Sequence, residues 1–588
     1  MTMRERQENF VLTNQHAASI ARNFVIPSLF LFFYCGVYAA LSVFVLRDKE
    51  SVNHAFSLDL GFISLGVLLA SALVYLAVWR GRATVEFTPS SRTLAPSTYF
   101  LISLLPLSPV IRYLIANRDI ASVVDTILVL AIFFSLFIVF IVVIPYLLSR
   151  YASGRLLLST ANALLFTMLN MASISRLFSW HQQGDIVIQL CLFTVVWICT
   201  WFLAGLKRND IAFVVIAFVV GATAIELLSL SEGQEQEATA EAVAEIQLMD
   251  SVLGREPAET PSIYLLVYDS YVPNETMLHY GIDNSDQERY LVEQGFELYP
   301  HTYSVGANSL ASMNVVLNVS AEGYVSRVGV DGSGRAIELL RSLGYRTAGV
   351  FGTDYFFRGL AYEPQYDYYT PQFILPTYRL LSAAIWNGEF RFDLGLESIP
   401  HTDYVALKRE VFANPSESPT FLYSHSIYPG HSQNSGSCLP NEVELFRERL
   451  QIANDEMRMD IATLLDHDPN AIIIIAGDHG PALTKNCTTL SGVYQPSEID
   501  RVDIQDRFGS FLGVRWPSSD DNEHIQITVL QDIFPAVFAW MYRDTSLLEA
   551  RISPVTITNF ATAEVEVHGG IIVGGADDGE PLYLSDIN

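Results

Sequence analysis

The segment A-I-I-I-I-A-G-D-H-G, from Ala471 to Gly480, is the clearest indication of the fold of the second half of the chain. Its apolar run is as short as a strand and suits one that is buried on both faces of a sheet. A segment with helical spacing, Asn441–Leu465, precedes it, and Pro469 ends that spacing. A helix followed by a buried strand predicts an α/β domain with a mostly parallel central sheet.

Three further apolar runs extend this pattern. The predicted strands are Ile263–Tyr268, Tyr345–Phe351 and Thr420–Ser424. Asp269, His425 and the pair Asp478-His479 follow predicted strands directly. Because ligands of parallel sheets bind beyond the carboxyl ends of the strands, we expect these side chains to converge.

Carboxylate and imidazole groups are good ligands for a divalent metal ion, and zinc accepts both. Gly477 and Gly480 allow the backbone to turn sharply around Asp478-His479. An isolated Asp-His pair is also a common hydrogen-bonded cap of a strand. The metal interpretation therefore depends on the other residues of the predicted site.

The first 230 residues contain long apolar runs, each near the roughly 20 residues that a membrane-spanning helix needs. The candidate spans are Asn23–Leu46, Leu60–Trp79, Tyr99–Ile115, Thr126–Leu148, Leu156–Ile174, Ile186–Leu206 and Ile211–Leu230. Pro106, Pro109 and Arg112 interrupt the third. The prediction is therefore six or seven helices.

Lys and Arg in the short loops set the orientation of a membrane protein. With the N-terminus inside, ten of these residues lie on the inner side and five on the outer side. Seven spans then place everything after Leu230 outside the cytoplasm, whereas six would place it inside. We expect an integral protein of the inner or plasma membrane with an extracytoplasmic C-terminal domain.

The charge of the chain changes at the same boundary. The first 230 residues hold 15 Lys and Arg against 11 Asp and Glu, which leaves 20 and 52 for the remainder. A domain with a net charge of −32 repels nucleic acid, so no nucleic-acid partner is expected. The acidity also suits a solvated surface.

Six motifs stand in a fixed order after Pro261. They are I-Y-L-L-V-Y-D-S-Y at Ile263–Tyr271, E-Q-G-F at Glu293–Phe296, A-N-S-L-A-S-M-N-V-V-L-N at Ala307–Asn318, H-S-I-Y-P-G-H at His425–His431, I-I-I-I-A-G-D-H-G at Ile472–Gly480 and Q-D-I-F-P at Gln531–Pro535. Together they resemble the sulfatase-like branch of the alkaline-phosphatase superfamily. The similarity is greatest to its membrane-anchored phosphoethanolamine and phosphoglycerol transferases, and it extends to about Tyr542.

The resemblance implies roles for individual residues. Asp269, Ser309, Asp478 and His479 would hold a divalent metal, with zinc favoured over manganese, magnesium or calcium. Ser309 would be the nucleophile at a helix N-terminus and would form a covalent phospho-enzyme. A metal and a helix N-terminus both suit that chemistry, because they lower the pKa of a hydroxyl and attract an anion.

His431 and His425 would contact the transferred group or a second metal. No further histidine follows Asp478-His479, so a second metal site lacks one of the family's usual ligands.

The nucleophile assignment depends on the alignment register. A shifted register would place Gly306 at that position, leaving an inactive domain or a different nucleophile such as Ser304. The transferase branch also usually has Thr where this chain has Ser309. A C-L-P-N-E segment at Cys438 lacks the Ser-Arg of the sulfatase formylglycine motif, which disfavours sulfate-ester hydrolysis.

Cys438 and Cys487 are the only cysteines outside the predicted spans, and an extracytoplasmic location permits a disulfide between them. Two free thiols are the alternative.

The predicted architecture is a polytopic α-helical membrane domain of six or seven helices, followed by an α/β sulfatase-like domain. The predicted boundaries are 1–230 for the membrane domain, 231–261 for an acidic linker, 262–545 for the catalytic domain and 546–588 for a C-terminal extension. The leading function is transfer of a phosphoethanolamine or phosphoglycerol group from a membrane lipid to an envelope glycan or lipid. A phosphate- or sulfate-ester hydrolase and an inactive scaffold of envelope assembly are the alternatives, and the sequence leaves the oligomeric state open.

Overall fold

The computed structural model describes most of the chain after residue 93. The described residues are 94–118, 120–150, 153–177, 186–231, 254–320, 329–360, 362–381, 398–414, 418–432, 441–485, 494–517, 525–557 and 565–584, with single residues at 65, 69, 252, 327 and 396. The chain divides into two compact units. The first comprises Met1–Gln234 and Ile374–Gly395, and the second comprises Glu235–Phe373 and Leu396–Asn588.

A seven-stranded sheet forms the centre of the second unit. Its strands are β1 (Ile263–Tyr268), β2 (Glu297–Leu298), β3 (Arg346–Phe351), β4 (Tyr368–Thr370), β5 (Thr420–Ser426), β6 (Ile472–Gly477) and β7 (Leu512–Arg515). They lie in the order β2-β7-β6-β1-β5-β3-β4. All pairs from β6 to β4 are parallel, and only the pairs of β7 are antiparallel. The prediction of a mostly parallel sheet is confirmed.

Both faces of this sheet are covered, as the continuous apolar strands predict. On β1, Leu265 and Val267 belong to one core cluster, while Tyr264 and Leu266 belong to the cluster on the opposite face. The helices of this unit are Asn274–His279, Ser285–Glu293, Ser309–Asn318, Arg335–Ser342, His401–Ala413, Glu442–His467, Arg501–Phe508 and Ile533–Tyr542.

The long helix Glu442–His467 confirms the helical spacing of the sequence. Its apolar residues Phe446, Leu450 and Met457 are buried against one face of the sheet. The helix Ile533–Tyr542 is buried along its whole length in the core of the other face.

The register of the central strands positions the candidate site. Tyr268 at the end of β1 pairs with Ser426 on β5 and with Gly477 on β6. The residues that follow β1 and β6 therefore emerge side by side at the carboxyl edge of the sheet.

The C-terminal residues pack onto the segment that leads to Ser309. A hairpin of β8 (Glu566–His568) and β9 (Ile571–Val573) contributes to a core cluster that includes Tyr303 and Val305. The Tyr583 hydroxyl donates a hydrogen bond to the carbonyl oxygen of Thr302 at 3.0 Å. The C-terminal extension thus shares a core with the second unit.

The first unit is helical throughout its described residues. Its elements are Pro96–Ile102, Leu107–Ala116, Val123–Phe137, the π-helical stretch Ile138–Val143, Ile144–Leu148, Gly154–Leu177, Ile186–Leu203, Arg208–Ser231 and Pro376–Leu381. Two stretches are long and apolar enough to cross a membrane, Pro96–Ile115 and Val123–Leu148, and Cys191–Leu203 is a shorter apolar helix.

The interrupted third span consists of two helices. The break falls at residues 103–106 and includes Pro106, in agreement with the disruption expected of proline. The predicted span Asn23–Leu46, and Leu60–Trp79 apart from two residues, lie outside the described residues. The number of spans therefore stays a prediction.

Residues Ile374–Gly395 belong to the first unit, although the sequence-based boundaries assign them to the catalytic domain. Leu380 is fully buried in the core of that unit, and its carbonyl oxygen accepts a hydrogen bond from the Tyr113 hydroxyl at 2.9 Å. Thr377 is hydrogen-bonded to the Asp125 carboxylate. Buried apolar and polar contacts together attach this segment to the helical unit.

Candidate active site

Three potential metal ligands come from three adjacent strands, β6, β1 and β5. Asp269 directly follows β1, Asp478 directly follows β6, and His425 is the penultimate residue of β5. One ligand atom from each lies within 4.8 Å of the others. The convergence expected from the sequence is therefore present in the fold.

His479 and Ser309 complete this cluster. The Nε2 atom of His479 lies 3.4 Å from Asp478 Oδ2, 3.7 Å from Asp269 Oδ1 and 3.4 Å from Ser309 Oγ. His425 Nε2 lies 3.5 Å from Asp478 Oδ2. The structure thus brings together the four ligands implied by the resemblance and adds His425 as a fifth donor.

The hydrogen bonds of His479 orient its ring toward the cluster. Its Nδ1 lies 2.8 Å from the carbonyl oxygen of Gly480, which only accepts hydrogen bonds, so Nδ1 carries the proton. In the neutral ring, Nε2 then presents a lone pair to the site. Gly480 allows this turn, because a Cβ there would lie 2.0 Å from the carbonyl oxygen of Asp506.

One oxygen of Asp478 is held by the backbone and the other faces the cluster. Oδ1 accepts hydrogen bonds from the N–H groups of Ser270 at 2.8 Å and His479 at 3.0 Å. Ser270 has a left-handed backbone with φ of 62°, which belongs to this turn. Oδ2 is buried and accepts no hydrogen bond among the described residues.

The charge state of Asp478 suits a bound cation. Burial alone would raise the pKa of this carboxyl, but His479 and His425 hold it well below its usual range. A buried, ionised carboxylate is rare in proteins unless positive charge compensates it, and a bound cation would supply such charge here.

The spacing of the ligand atoms also fits a metal. Ligands about 2.0–2.2 Å from zinc at tetrahedral angles lie roughly 3.3–3.6 Å apart. The separations of 3.4, 3.4 and 3.5 Å match that range, and 3.7 Å is close to it. The ligand atoms of Asp269, His425 and Asp478 thus lie close enough together to hold a divalent ion, and His479 and Ser309 lie beside them.

Ser309 is the first residue of the helix Ser309–Asn318. The Asn308 side chain caps this helix by accepting a hydrogen bond from Ala311 N at 2.9 Å. Ser312, one turn further, donates a hydrogen bond to the carbonyl oxygen of Asp478 at 2.6 Å. The helix N-terminus, with its favourable field for anions, is thereby fixed against the β6 end.

The structure places the alternatives for the nucleophile elsewhere. Gly306 approaches the helix so closely that a Cβ would lie 2.7 Å from Ser312 N. The Ser304 hydroxyl is fully buried, is hydrogen-bonded to Ser312 and accepts a hydrogen bond from Gln531 Nε2 at 3.1 Å. Among the three positions, Ser309 is the one whose side chain meets the metal-type ligands.

His431 lies at the edge of the cluster. It is exposed, and its ring centroid is 6.3 Å from that of His479. The loop that carries it is bonded to Asp269 through Gly430 N, which donates to the Asp269 carbonyl oxygen at 2.9 Å. Arg449 Nη2 also donates a hydrogen bond to the carbonyl oxygen of His431 at 3.3 Å.

Cys438 and Cys487 lie outside the described residues, so their disulfide stays a prediction.

Sequence reasoning missed two aromatic neighbours of the site. The Tyr423 hydroxyl lies 2.9 Å from His425 Nδ1 and orients that ring. Tyr423 and His425 are two residues apart on one strand, and side chains with this spacing lie on the same face of a sheet. The sequence could therefore have indicated this contact. Burial raises the pKa of Tyr355, Arg327 opposes this effect, and the charges of Asp269 and Asp478 raise the pKa further, so this phenol lies within electrostatic reach of the site.

No family model matches the chain, and no curated protein matches it. Several solved structures do. The integral membrane lipooligosaccharide phosphoethanolamine transferase A from Neisseria meningitidis is 12% identical, with 90% of this chain and 95% of that one covered and a TM-score of 0.34. The periplasmic domain of the phosphoethanolamine transferase EptC from Campylobacter jejuni is 15% identical, with coverages of 49% and 92% and a TM-score of 0.32.

A third match is a protein of the alkaline-phosphatase superfamily from Vibrio parahaemolyticus. It is 15% identical, with coverages of 49% and 68% and a TM-score of 0.30. The chain resembles the sulfatase-like branch of that superfamily. Identities of 12–15% and TM-scores of 0.30–0.34 do not transfer a function to this chain.

Proposed function

We propose that this protein is a membrane-anchored, metal-dependent enzyme that transfers a phospho-group through a covalent intermediate on Ser309. The observation that supports it best is the position of Ser309 Oγ, 3.4 Å from His479 Nε2 and beside the ionised Asp478. A hydroxyl at a helix N-terminus within a set of metal-type ligands is equipped for nucleophilic attack on phosphorus.

Asp269, Asp478, His479 and Ser309 would hold the ion, with His425 as a further donor. A bound zinc ion would supply positive charge that lowers the pKa of a coordinated hydroxyl and neutralises charge on a phosphoryl group. Zinc is the first choice because the set mixes carboxylate oxygens with imidazole nitrogens, whereas magnesium and calcium prefer oxygen alone.

The reaction has two displacement steps. Ser309 Oγ forms a bond to the phosphorus of a phosphodiester and gives its proton to solvent, while the bond from phosphorus to the donor oxygen breaks and the donor alcohol leaves with a proton from solvent. An acceptor hydroxyl then attacks the phosphoserine and loses its proton, and the bond from phosphorus to Ser309 Oγ breaks, so that Oγ regains a proton. His431, exposed at the edge of the site, is positioned for contact with the donor or acceptor.

The apolar helices of the first unit favour a membrane lipid as the donor, since an enzyme tethered to the membrane encounters a lipid at high effective concentration. We therefore propose a phosphoethanolamine or phosphoglycerol lipid as donor and an envelope glycan or lipid as acceptor. The excess of Lys and Arg in the loops proposed as cytoplasmic supports an extracytoplasmic location for the catalytic unit.

The test uses the full-length protein in nanodiscs that contain phosphatidylethanolamine or phosphatidylglycerol with a labelled headgroup. We expect release of diacylglycerol and a labelled protein intermediate from one of these lipids. Ser309→Ala should abolish both signals, whereas Ser309→Thr should retain them because the hydroxyl is kept. Ser304→Ala is the matched control, and it should leave the labelled intermediate in place.

The other candidate functions predict different results. A phosphate- or sulfate-ester hydrolase would cleave a soluble ester and transfer nothing from either lipid. A scaffold would show no label and no turnover, and Ser309→Ala would leave its cellular phenotype unaltered.

A further inference from the structure

A cluster of charged side chains, formed by Lys408, Arg409, Glu456 and Asp460, contacts the last residues of β1 and β5. Lys408 Nζ lies 2.5 Å from Asp460 Oδ2 and also pairs with Glu456, while Arg409 Nε lies 2.7 Å from Asp460 Oδ1. Lys408 is 1% exposed, Glu456 3% and Asp460 0%. Two acids and one base are thus removed from water within one cluster, and the partly exposed Arg409 pairs with it from the side.

Stability alone does not account for such a cluster. Desolvation of buried ions offsets much of their attraction, and apolar side chains of similar volume often give equal or greater stability. Buried charges that are retained in a fold can instead specify one arrangement of the groups around them. The atoms that this cluster holds in place therefore indicate what the cluster does.

Two of its hydrogen bonds reach the strand ends. The Tyr268 hydroxyl donates to Asp460 Oδ2 at 3.2 Å, and the Ser426 hydroxyl donates to Glu456 Oε2 at 3.3 Å. Tyr268 is the last residue of β1, and Ser426 is the last residue of β5. The cluster thus bonds to the final side chain of each of these two strands.

Each of these strand-end residues is a direct neighbour of a candidate metal ligand. Tyr268 precedes Asp269, and Ser426 follows His425. The backbone joins the two pairs, because Asp269 N donates a hydrogen bond to the Ser426 carbonyl oxygen at 3.1 Å. A shift of either strand end would therefore change the separation of Asp269 and His425.

The other two ligands differ in their support. Asp478 accepts a hydrogen bond from Ser270 N, which follows Asp269 at the end of β1, so its support is connected to that strand end. The ring of His479 is fixed by the carbonyl oxygen of Gly480. Loss of the charged cluster should therefore displace Asp269 and His425 most and His479 least.

We propose that Lys408, Glu456 and Asp460 form a positioning network that sets the distance between Asp269 and His425 and thereby the affinity of the site for its metal. This inference rests on the metal-dependent function proposed above. His401 belongs to the same network, since its Nε2 lies 3.0 Å from Glu456 Oε2 and its ring packs edge-on against Tyr428, in the loop that leads to His431.

The test compares Glu456→Gln and Ser426→Ala with wild type in metal-stripped, full-length protein in detergent. Zinc is titrated against a chromogenic chelator to obtain Kd. Loss of a direct partner of a metal ligand typically weakens metal binding by about 10- to 100-fold. Because Glu456 and Ser426 act through the neighbours of the ligands, we expect the lower end of this range, about 10-fold, for both variants. Cobalt-loaded protein should also show a shifted visible absorption spectrum, because the ligand geometry changes.

Leu464→Ala is the control for a purely structural effect. Leu464 is buried on the same helix as Glu456, and its truncation should lower the unfolding temperature without changing the zinc Kd. If Glu456→Gln and Ser426→Ala lower the unfolding temperature but keep the wild-type Kd and cobalt spectrum, the positioning role is refuted and the proposed function stands. A wild-type protein that binds neither zinc nor cobalt would refute both.

Discussion

His479 Nε2 lies 3.4 Å from Ser309 Oγ, although 170 residues separate the two along the chain. The sheet produces this contact, because β6 ends at the edge where the helix Ser309–Asn318 begins. The contact brings the proposed nucleophile next to a proposed metal ligand.

Asp478→Asn should remove the bound metal and with it the activity. The substitution neutralises a buried carboxylate whose Oδ2 faces the other ligands without a hydrogen-bond donor of its own. We expect zinc content, measured by elemental mass spectrometry of the purified protein, to fall to background. Asp466→Asn is the control, since Asp466 is largely exposed, and it should bind zinc like wild type. Full zinc occupancy in Asp478→Asn would contradict the assigned ligand set.

Gly480→Ala should destabilise the protein and inactivate it. The new Cβ would lie 2.0 Å from the Asp506 carbonyl oxygen, so the turn that orients His479 has to move. Overpacking of this kind costs about 1–3 kcal/mol of unfolding free energy. Gly221→Ala is a matched control, because nothing lies within 4 Å of its added Cβ. Thermal unfolding and turnover of the two variants are the measurements, and wild-type turnover in Gly480→Ala would contradict the role of the turn.

The stability of the catalytic unit should fall at low pH partly through Glu456. Burial opposes ionisation of this carboxyl, but Lys408 and His401 lower its pKa to about 2. Because the folded pKa lies below the unfolded value of about 4.3, the contribution is complete above that value and is lost as the pH falls toward 2. Its size is on the order of 3 kcal/mol.

Burial raises the pKa of the neighbouring Asp460 instead, so a comparison with Glu456→Gln is needed to isolate Glu456. Wild type should lose more unfolding free energy than Glu456→Gln between pH 5 and pH 3, as measured by urea unfolding. Equal losses would show that Glu456 does not contribute through its ionisation.

Cysteines at positions 125 and 377 should form a disulfide in the membrane-embedded protein. Asp125 and Thr377 are hydrogen-bonded to each other within the first unit. The pair Asp125→Cys with Tyr378→Cys is the control, because the Tyr378 side chain is exposed rather than directed at Asp125. Non-reducing electrophoresis of the full-length variants separates the two outcomes. Failure of the first pair to cross-link would contradict the attachment of Ile374–Gly395 to the helical unit.

The central strands could be predicted from sequence because buried parallel strands are continuous apolar runs. Ile263–Tyr268 has the predicted bounds, and the predicted strand within Ala471–Ala476 is observed as Ile472–Gly477. Since the ligands directly follow such strands, their convergence could be predicted as well. The position of Ser309 needed the resemblance in addition, because nothing in a helix start reveals which strand end it will face.

The buried charges could not be predicted in the same way. Glu456 and Asp460 occupy a helix that also carries many exposed charges, and burial of one charged residue depends on the neighbouring helix His401–Ala413. The assignment of Ile374–Gly395 to the first unit could not be predicted for a similar reason. The sequence of a short apolar segment between two strands does not indicate which surface it packs against.

Mass spectrometry of the rapidly quenched, metal-loaded protein is the most direct test of whether Ser309 is the nucleophile. After mixing with the lipid donor, we expect one phospho-adduct, located on Ser309, that disappears when acceptor is added and fails to form after the metal is chelated. Turnover without any adduct, or an adduct on another residue such as Ser304, would contradict it.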